Sequence, residues 1–314
     1  MTITLDDLSQ EAIIVCEDIT DIPRLEWLKM RQTGLGGSDA APAVGMSPWK
    51  SPVALYFDKT DPITADEDTE LFKRGRQMEG PIADMFAEES NLEVVKLPVM
   101  LRSGMYEFML ANVDRYVVET DGTWAILECK NVGVNQTHDW DDGPPLHYRL
   151  QIQHYLAVHG PRFQRAYIAA LIGGNKLVIF VVERDETLIA DIIAGEEAFW
   201  TFVTLKRMPS IDGTDSTRAA LAEHFAKPEV ESKEVSREIL TLIEQHRAAK
   251  VGLKLASDRV NEIESAMKAL IGDAEEATVD GDVVATWKVV TKAEYVVKPQ
   301  QYRQLSVKKM RETK

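Results

Sequence analysis

The stretch Asn112–Lys130, N-V-D-R-Y-V-V-E-T-D-G-T-W-A-I-L-E-C-K, constrains this chain more than any other. β-Branched and aromatic runs flank a turn at Asp121-Gly122, which reads as a β-hairpin. Asp114 falls on its first arm. Glu128 and Lys130 fall on the second, two residues apart, so their side chains leave the sheet on one face and Cys129 points to the other. A two-residue turn would put Asp114 opposite Cys129, on the wrong face. A three-residue loop, Thr120 to Gly122, puts it opposite Glu128, because a one-residue slip flips every side chain. With that loop, or a bulge, two carboxylates meet beside a lysine, the groups needed for metal-assisted phosphodiester hydrolysis. The bland alternative is a solvated strand face with a cross-strand ion pair.

Composition narrows the classes. The 314 residues suffice for a substantial core and one or two domains, and 45% hydrophobic content excludes general disorder. No apolar run approaches the ~18 residues that would span a membrane. The N-terminus M-T-I-T-L-D-D-L lacks the basic segment of a secretion signal. Two cysteines, Cys16 and Cys129, make no disulfide framework, so a cytoplasmic setting is expected. A net charge of -15 argues against a protein that coats nucleic acid, but leaves room for an enzyme with a local basic channel.

Along the chain, residues 1–23 read as an acidic extension. An amphipathic helix is expected over 24–33. The glycine turn that follows feeds a short helix with Ser38 as N-cap and Gly45 as its stop. Another helix starts near Ser51, and 61–68 is an acidic loop. The helix over 69–90 should bend or restart at Gly80-Pro81. Strands occupy 92–118, and an irregular loop follows Lys130. A helix over 146–159 stacks Tyr148, Gln151 and Tyr155 on one face. A second hairpin turns at Gly173-Gly174-Asn175, and a helix over 186–207 leads to a linker at 209–217. The region 218–314 differs in kind. From Val235 to Leu270 apolar residues recur at alternating spacings of four and three, a heptad seam on a helix ~50 Å long that must be buried somewhere. A short hairpin around Asp280-Gly281 and a basic end, Lys308-Lys309, complete it.

Four motifs occur in order: Arg31 and Ser38 around the glycine turn; Gly75 and Glu79; Asp114, Glu128 and Lys130; and Y-x-x-Q-x-Q-H-Y from Tyr148 to Tyr155. In this order they resemble the YqaJ-type viral recombinase family, lambda exonuclease-like members of the PD-(D/E)xK nuclease superfamily. The likeness covers about residues 24–205, with Val113 where that motif has proline. It implies an α/β nuclease domain over 24–208, a central mixed β-sheet flanked by helices, and leaves 218–314 as a helical C-terminal appendage. It implies a Mg²⁺- or Mn²⁺-dependent exonuclease acting 5′-to-3′ on duplex DNA ends in a phage-infected or prophage-bearing cell. An annealing protein and further copies of the chain, in a ring, are the expected partners. A structure-specific endonuclease and a catalytically silent end-binding protein are the rival readings.

By the same resemblance Asp114, Glu128 and the Cys129 carbonyl hold the metal, as hard oxygen ligands suit these ions. Lys130 orients or deprotonates the attacking water, or stabilises developing charge. Glu79 faces the site from its helix, and Gln151 bonds the water or the scissile phosphate with Tyr148 alongside. Arg31 and Ser38 bind a 5′-phosphate. Lys73, Arg74 and Arg76 either line a DNA path or form a solvated helix face. His138, His147 and His154 lack zinc-site spacing.

Overall fold

The computed structural model describes residues 2–63, 70–228, 230, 232–292 and 303–307, with backbone alone for Leu71 and Phe72. The chain divides into two compact units, 1–224 and 225–314. The first unit runs α1 (Leu5–Leu8), β1 (Ala12–Cys16), α2 (Arg24–Gln32), α3 (Gly37–Ala43), α4 (Pro52–Thr60), α5 (Glu70–Ser90), β2 (Glu93–Val95), β3 (Met100–Ser103), β4 (Leu110–Ala111), β5 (Arg115–Val118) and β6 (Trp124–Val132). A 3-10 segment (Val134–Trp140) leads to α6 (Leu146–His159), β7 (Phe163–Ile172), β8 (Lys176–Glu183), α7 (Glu186–Thr204) and α8 (Asp215–His224).

The central sheet has the order β2-β5-β6-β7-β8. It is mixed: β6 and β7 are parallel and every other pair is antiparallel. Side-chain alternation gives it two apolar faces. Tyr116, Val118, Ile126, Ile168 and Ala170 join the core that contains Ile152, Tyr155 and Leu156 of α6 and Ile189 and Phe199 of α7. Val117, Ala125, Leu127, Cys129 and Ala169 face the other way, against Ile82, Ala83 and Phe86 of α5. The α/β class with helices flanking a mixed sheet is thus observed. A smaller antiparallel sheet, β1-β3-β4, stands beside it.

The hairpin register is the one the site requires. Val118 pairs with Trp124 and Arg115 with Leu127. The Gly122 amide donates to the Glu119 carbonyl, and Glu119 N–H donates to Thr123 O, so the loop is Thr120–Gly122. Gly122 has φ +82°, the left-handed turn position that glycine fills without strain. Asp121 fixes the turn by accepting from the Thr123 amide and hydroxyl.

Several local expectations are corrected. Gly36, not Ser38, caps α3, and the Asp39 carboxylate accepts from the Gly36 amide. Helix α5 runs through Pro81 as one element rather than restarting there. Strand β6 continues past Lys130 to Val132, because Lys130–Val132 stay paired to β7. Residues 1–23 are more than an extension: Ile3, Leu8 and Ala12 are buried in the main core, and β1 pairs with β3. The expected linker ends inside α8, where Thr217 is fully buried. Most of the 61–68 loop and the Lys308-Lys309 end lie outside the described residues.

The second unit contains α9 (Glu238–Ile271) and a hairpin of β9 (Glu276–Val279) and β10 (Asp282–Thr286). No residue of α9 is buried, and its seam residues Leu242, Leu253 and Val260 are more than half exposed. Among the described residues of this unit the expected burial of that seam is not met.

Candidate active site

Helix α6 carries one wall of the site, and a buried pair holds it in place. His154 and Glu196 have no solvent exposure and lie 2.7 Å apart, Nδ1 to Oε1. His154 Nε2–H donates to the Leu110 carbonyl at 2.9 Å. Both ring nitrogens thus face acceptors, which suits the imidazolium. Burial alone would depress its pKa, but the Glu196 charge and these hydrogen bonds outweigh it and raise it. One turn on, Tyr116 OH donates to His159 Nε2 at 2.9 Å, and His159 Nδ1–H donates to the Tyr155 carbonyl. Burial holds His159 neutral, with a pKa of about 4.

On this base the even-numbered residues of β6 meet the helix. Lys130 Nζ donates to Glu128 Oε1 at 2.7 Å and to Gln151 Oε1 at 3.2 Å. Gln151 Nε2 donates to the same Glu128 oxygen at 2.6 Å and to Tyr155 OH at 3.2 Å. Lys130 also lies over the Tyr148 ring, 4.5 Å from its centre. Asp114 stands one residue before β5, and its Oδ2 accepts the Cys129 amide at 2.8 Å. The structure therefore brings Asp114, Glu128, Lys130, Gln151 and Tyr148 together. Glu79 reaches the same region electrostatically from α5: burial and then the Glu128 charge raise its pKa. Gln153 is elsewhere, bridging the Glu183 carbonyl and the Asp185 amide.

The charges in the cluster do not balance. Asp114 is raised well above the usual carboxylate range, first by burial and then by Glu128 and Glu79. Burial would depress Lys130, but Glu128 and Asp114 outweigh it and push it up, so it stays an ammonium at neutral pH. Glu128 Oε2 is shielded from water and has no hydrogen-bond partner among the described residues. A carboxylate oxygen left bare in an acidic cluster is the donor a cation would take. Among the described residues no three His, Cys, Asp or Glu side chains form a cage by themselves. A hard cation held here would rest on Asp114, Glu128 and the Cys129 carbonyl and would keep open positions, as Mg²⁺ sites do. The Cys129 thiol is pushed up by burial and by Asp114, so it is neutral and unreactive.

Arg31 and Ser38 form a neighbouring patch. Arg31 Nη2 donates to Ser38 Oγ at 3.1 Å and to Asp39 Oδ2 at 2.9 Å. Lys59 Nζ donates to the same Asp39 oxygen and to the Arg31 carbonyl, each at 2.9 Å. Burial opposes ionisation of Asp39, but Arg31 and Lys59 outweigh it and hold its carboxyl far below the usual range. The patch abuts the cluster at Gly37, where a Cβ would sit 2.4 Å from the Tyr155 ring. Asp39 and Lys59 were not singled out by spacing, whereas Tyr155 was, on the face it shares with Tyr148 and Gln151. Asp39 beside Ser38 offered a weak signal, and Lys59, 20 residues further on, offered none.

The YqaJ-like viral recombinase domain matches residues 26–162. The uncharacterized protein YqaJ of Bacillus subtilis (strain 168) is 36% identical over 278 residues, which is 86% of this chain and 85% of that protein. Among solved structures, an alkaline exonuclease (LHK-Exo) from Laribacter hongkongensis is similar with a TM-score of 0.45 and 19% identity, over 58% of this chain and 93% of its own. A phage related exonuclease from Haemophilus somnus 129PT has a TM-score of 0.42 and 13% identity, over 57% of this chain and 99% of its own. By its extended identity with the Bacillus protein and the domain match over the site residues, the chain belongs to the YqaJ-like viral recombinase family.

Proposed function

We propose that the chain is a divalent-metal-dependent DNA exonuclease that hydrolyses phosphodiester bonds from the 5′ ends of linear duplex and leaves a 3′ single strand for recombination. The observation that carries this reading is the lopsided bonding of Glu128: Lys130 and Gln151 grip one oxygen, and the other is bare. Mg²⁺ or Mn²⁺ on Asp114, Glu128 and the Cys129 carbonyl would supply Lewis acidity and neutralise phosphate charge. The remaining work falls to side chains. Charged Lys130 donates to the scissile phosphate and stabilises the charge that develops there, rather than acting as a base. Gln151, braced by Tyr155 OH, aligns the attacking water. Tyr148 supports the lysine from below. Glu79 adds a third negative charge that favours the cation. Arg31 and Ser38 receive the terminal 5′-phosphate, whose extra charge competes with Asp39 for the guanidinium. In this reading the partners are duplex ends, a single-strand annealing protein and further copies of the chain.

End-labelled linear duplex and closed circular DNA, each with and without Mg²⁺, test the reading. Loss of label from the linear substrate alone, only with metal, and its abolition in Glu128→Ala are expected. Equal cutting of circles would make the protein an endonuclease, and end binding without cleavage would make it a silent end-binder. For the patch, the rate ratio of 5′-phosphoryl to 5′-hydroxyl duplex is the measure, since Arg31→Ala also leaves Asp39 with a single cationic partner. The wild-type ratio should be on the order of tenfold and fall to about one in Arg31→Ala.

A further inference from the structure

Trp49 is 61% exposed, yet its backbone is pinned. It lies in the loop between α3 and α4, where Ser47 Oγ accepts the amides of both Trp49 and Lys50. The Ser51 amide donates to Ser216 Oγ, Ser51 caps α4, and Lys50 pairs with Asp58. An indole held out on so fixed a ledge loses little freedom on binding a ligand. It also stands next to the cluster. The His147 ring meets Trp49 at right angles with centres 6.3 Å apart, and packs on Tyr148 at 4.1 Å. Tyr148 in turn underlies Lys130. The cleft between these rings is lined also by Asn131 and Trp140. His147 Nε2 is shielded from solvent and has no hydrogen-bond partner among the described residues, an orphan that a polar ligand in the cleft would satisfy.

We propose that Trp49 is a stacking platform for a nucleobase of the strand being cut, next to the scissile phosphate, in the cleft it forms with His147. The inference rests on the nuclease reading. Stacking on an aromatic face suits an enzyme that must accept every base in turn, since each base has a π-face and no edge need be read. Trp49 is a positioning residue: it seats the nucleotide so that the adjoining phosphate reaches Lys130, and it touches no reacting atom.

The test has a binding arm and a cleavage arm. In the binding arm, metal-free wild type, Trp49→Phe and Trp49→Ala are titrated with 5′-phosphorylated duplex carrying 2-aminopurine at the first or the second nucleotide of the cut strand. Wild type and Trp49→Phe should quench the probe at one of these positions, and Trp49→Ala should not. In the cleavage arm Trp49→Ala should raise KM roughly tenfold with kcat nearly kept, and Trp49→Phe should restore most of it. Quenching that depends on Trp49 in a protein that never cleaves would support the platform while removing the nuclease reading. Active wild type whose quenching and KM are matched by Trp49→Ala would overturn the platform and leave the nuclease reading standing.

Discussion

At the scale of single residues, the cluster stores repulsion that a bound cation would relieve. Asp114 has a raised folded value, whereas in the unfolded chain it titrates near ~3.9. The folded state therefore keeps its proton longer. The stability this confers is present at low pH and is lost as pH rises through the raised value. Metal-free Asp114→Asn should then melt higher than wild type at pH 8, by at least ~2 °C, with the gap closing as the buffer is taken down toward about pH 4. Thermal melts in chelator check this, and adding Mg²⁺ should stabilise wild type but not the variant. An equal melting temperature at pH 8 would mean that the carboxylate is not under strain. Lys130 gives a second test. With Glu128 and Asp114 keeping it charged, Lys130→Ala should cost on the order of a hundredfold or more in kcat, and the pH profile should show no limb from a lysine base.

At the scale of elements, the site depends on how closely α3 approaches α6. Gly37→Ala would drive a methyl against the buried Tyr155 ring, whose hydroxyl braces Gln151. A stability loss of about 1–3 kcal/mol is expected, with kcat falling further than KM rises. Denaturant melts and steady-state kinetics on the same preparation measure both. The contrast between α3 and β6 shows what was legible in the sequence. The hairpin could be read because period-two alternation and the Asp121-Gly122 turn both act locally, but they left two registers open, and only the demand that Asp114 face Glu128 pointed to the three-residue loop that is observed. The face of α6 could be read from the spacing of Tyr148, Gln151 and Tyr155. The Ser38 cap was misread, since Ser and Asp are both good capping residues and only the packed fold shows Asp39 engaged with Gly36, Arg31 and Lys59. For His154 the sequence showed only that zinc-site spacing is lacking, and its buried pairing went unread because its partner Glu196 lies 42 residues away on α7. Contacts of that range leave no periodic trace.

At the scale of the molecule, the boundary between the units falls beyond α8. Thr217 is buried, the His224 ring stacks on Phe57 at 4.0 Å, and His224 Nδ1 meets Asp61 Oδ2 at 2.6 Å. A chain ending after His224 should fold and keep the melting transition of the first unit. One ending at Asp212 strips α8 from α4 and should lose several degrees or become insoluble, as calorimetry of the two would show. What remains, α9, is a 34-residue helix without a single buried side chain. Its order rests on intrinsic propensity and on short-range pairs such as Arg259–Glu262 and Lys268–Glu264. With no buried side chain on α9, its backbone amides have little to slow their opening, so in deuterated water they should exchange orders of magnitude faster than those of β6 and β7. Slow exchange then becomes a detector. Whatever molecule covers the apolar seam will reveal itself as protected amides along α9 before anything else about it is known.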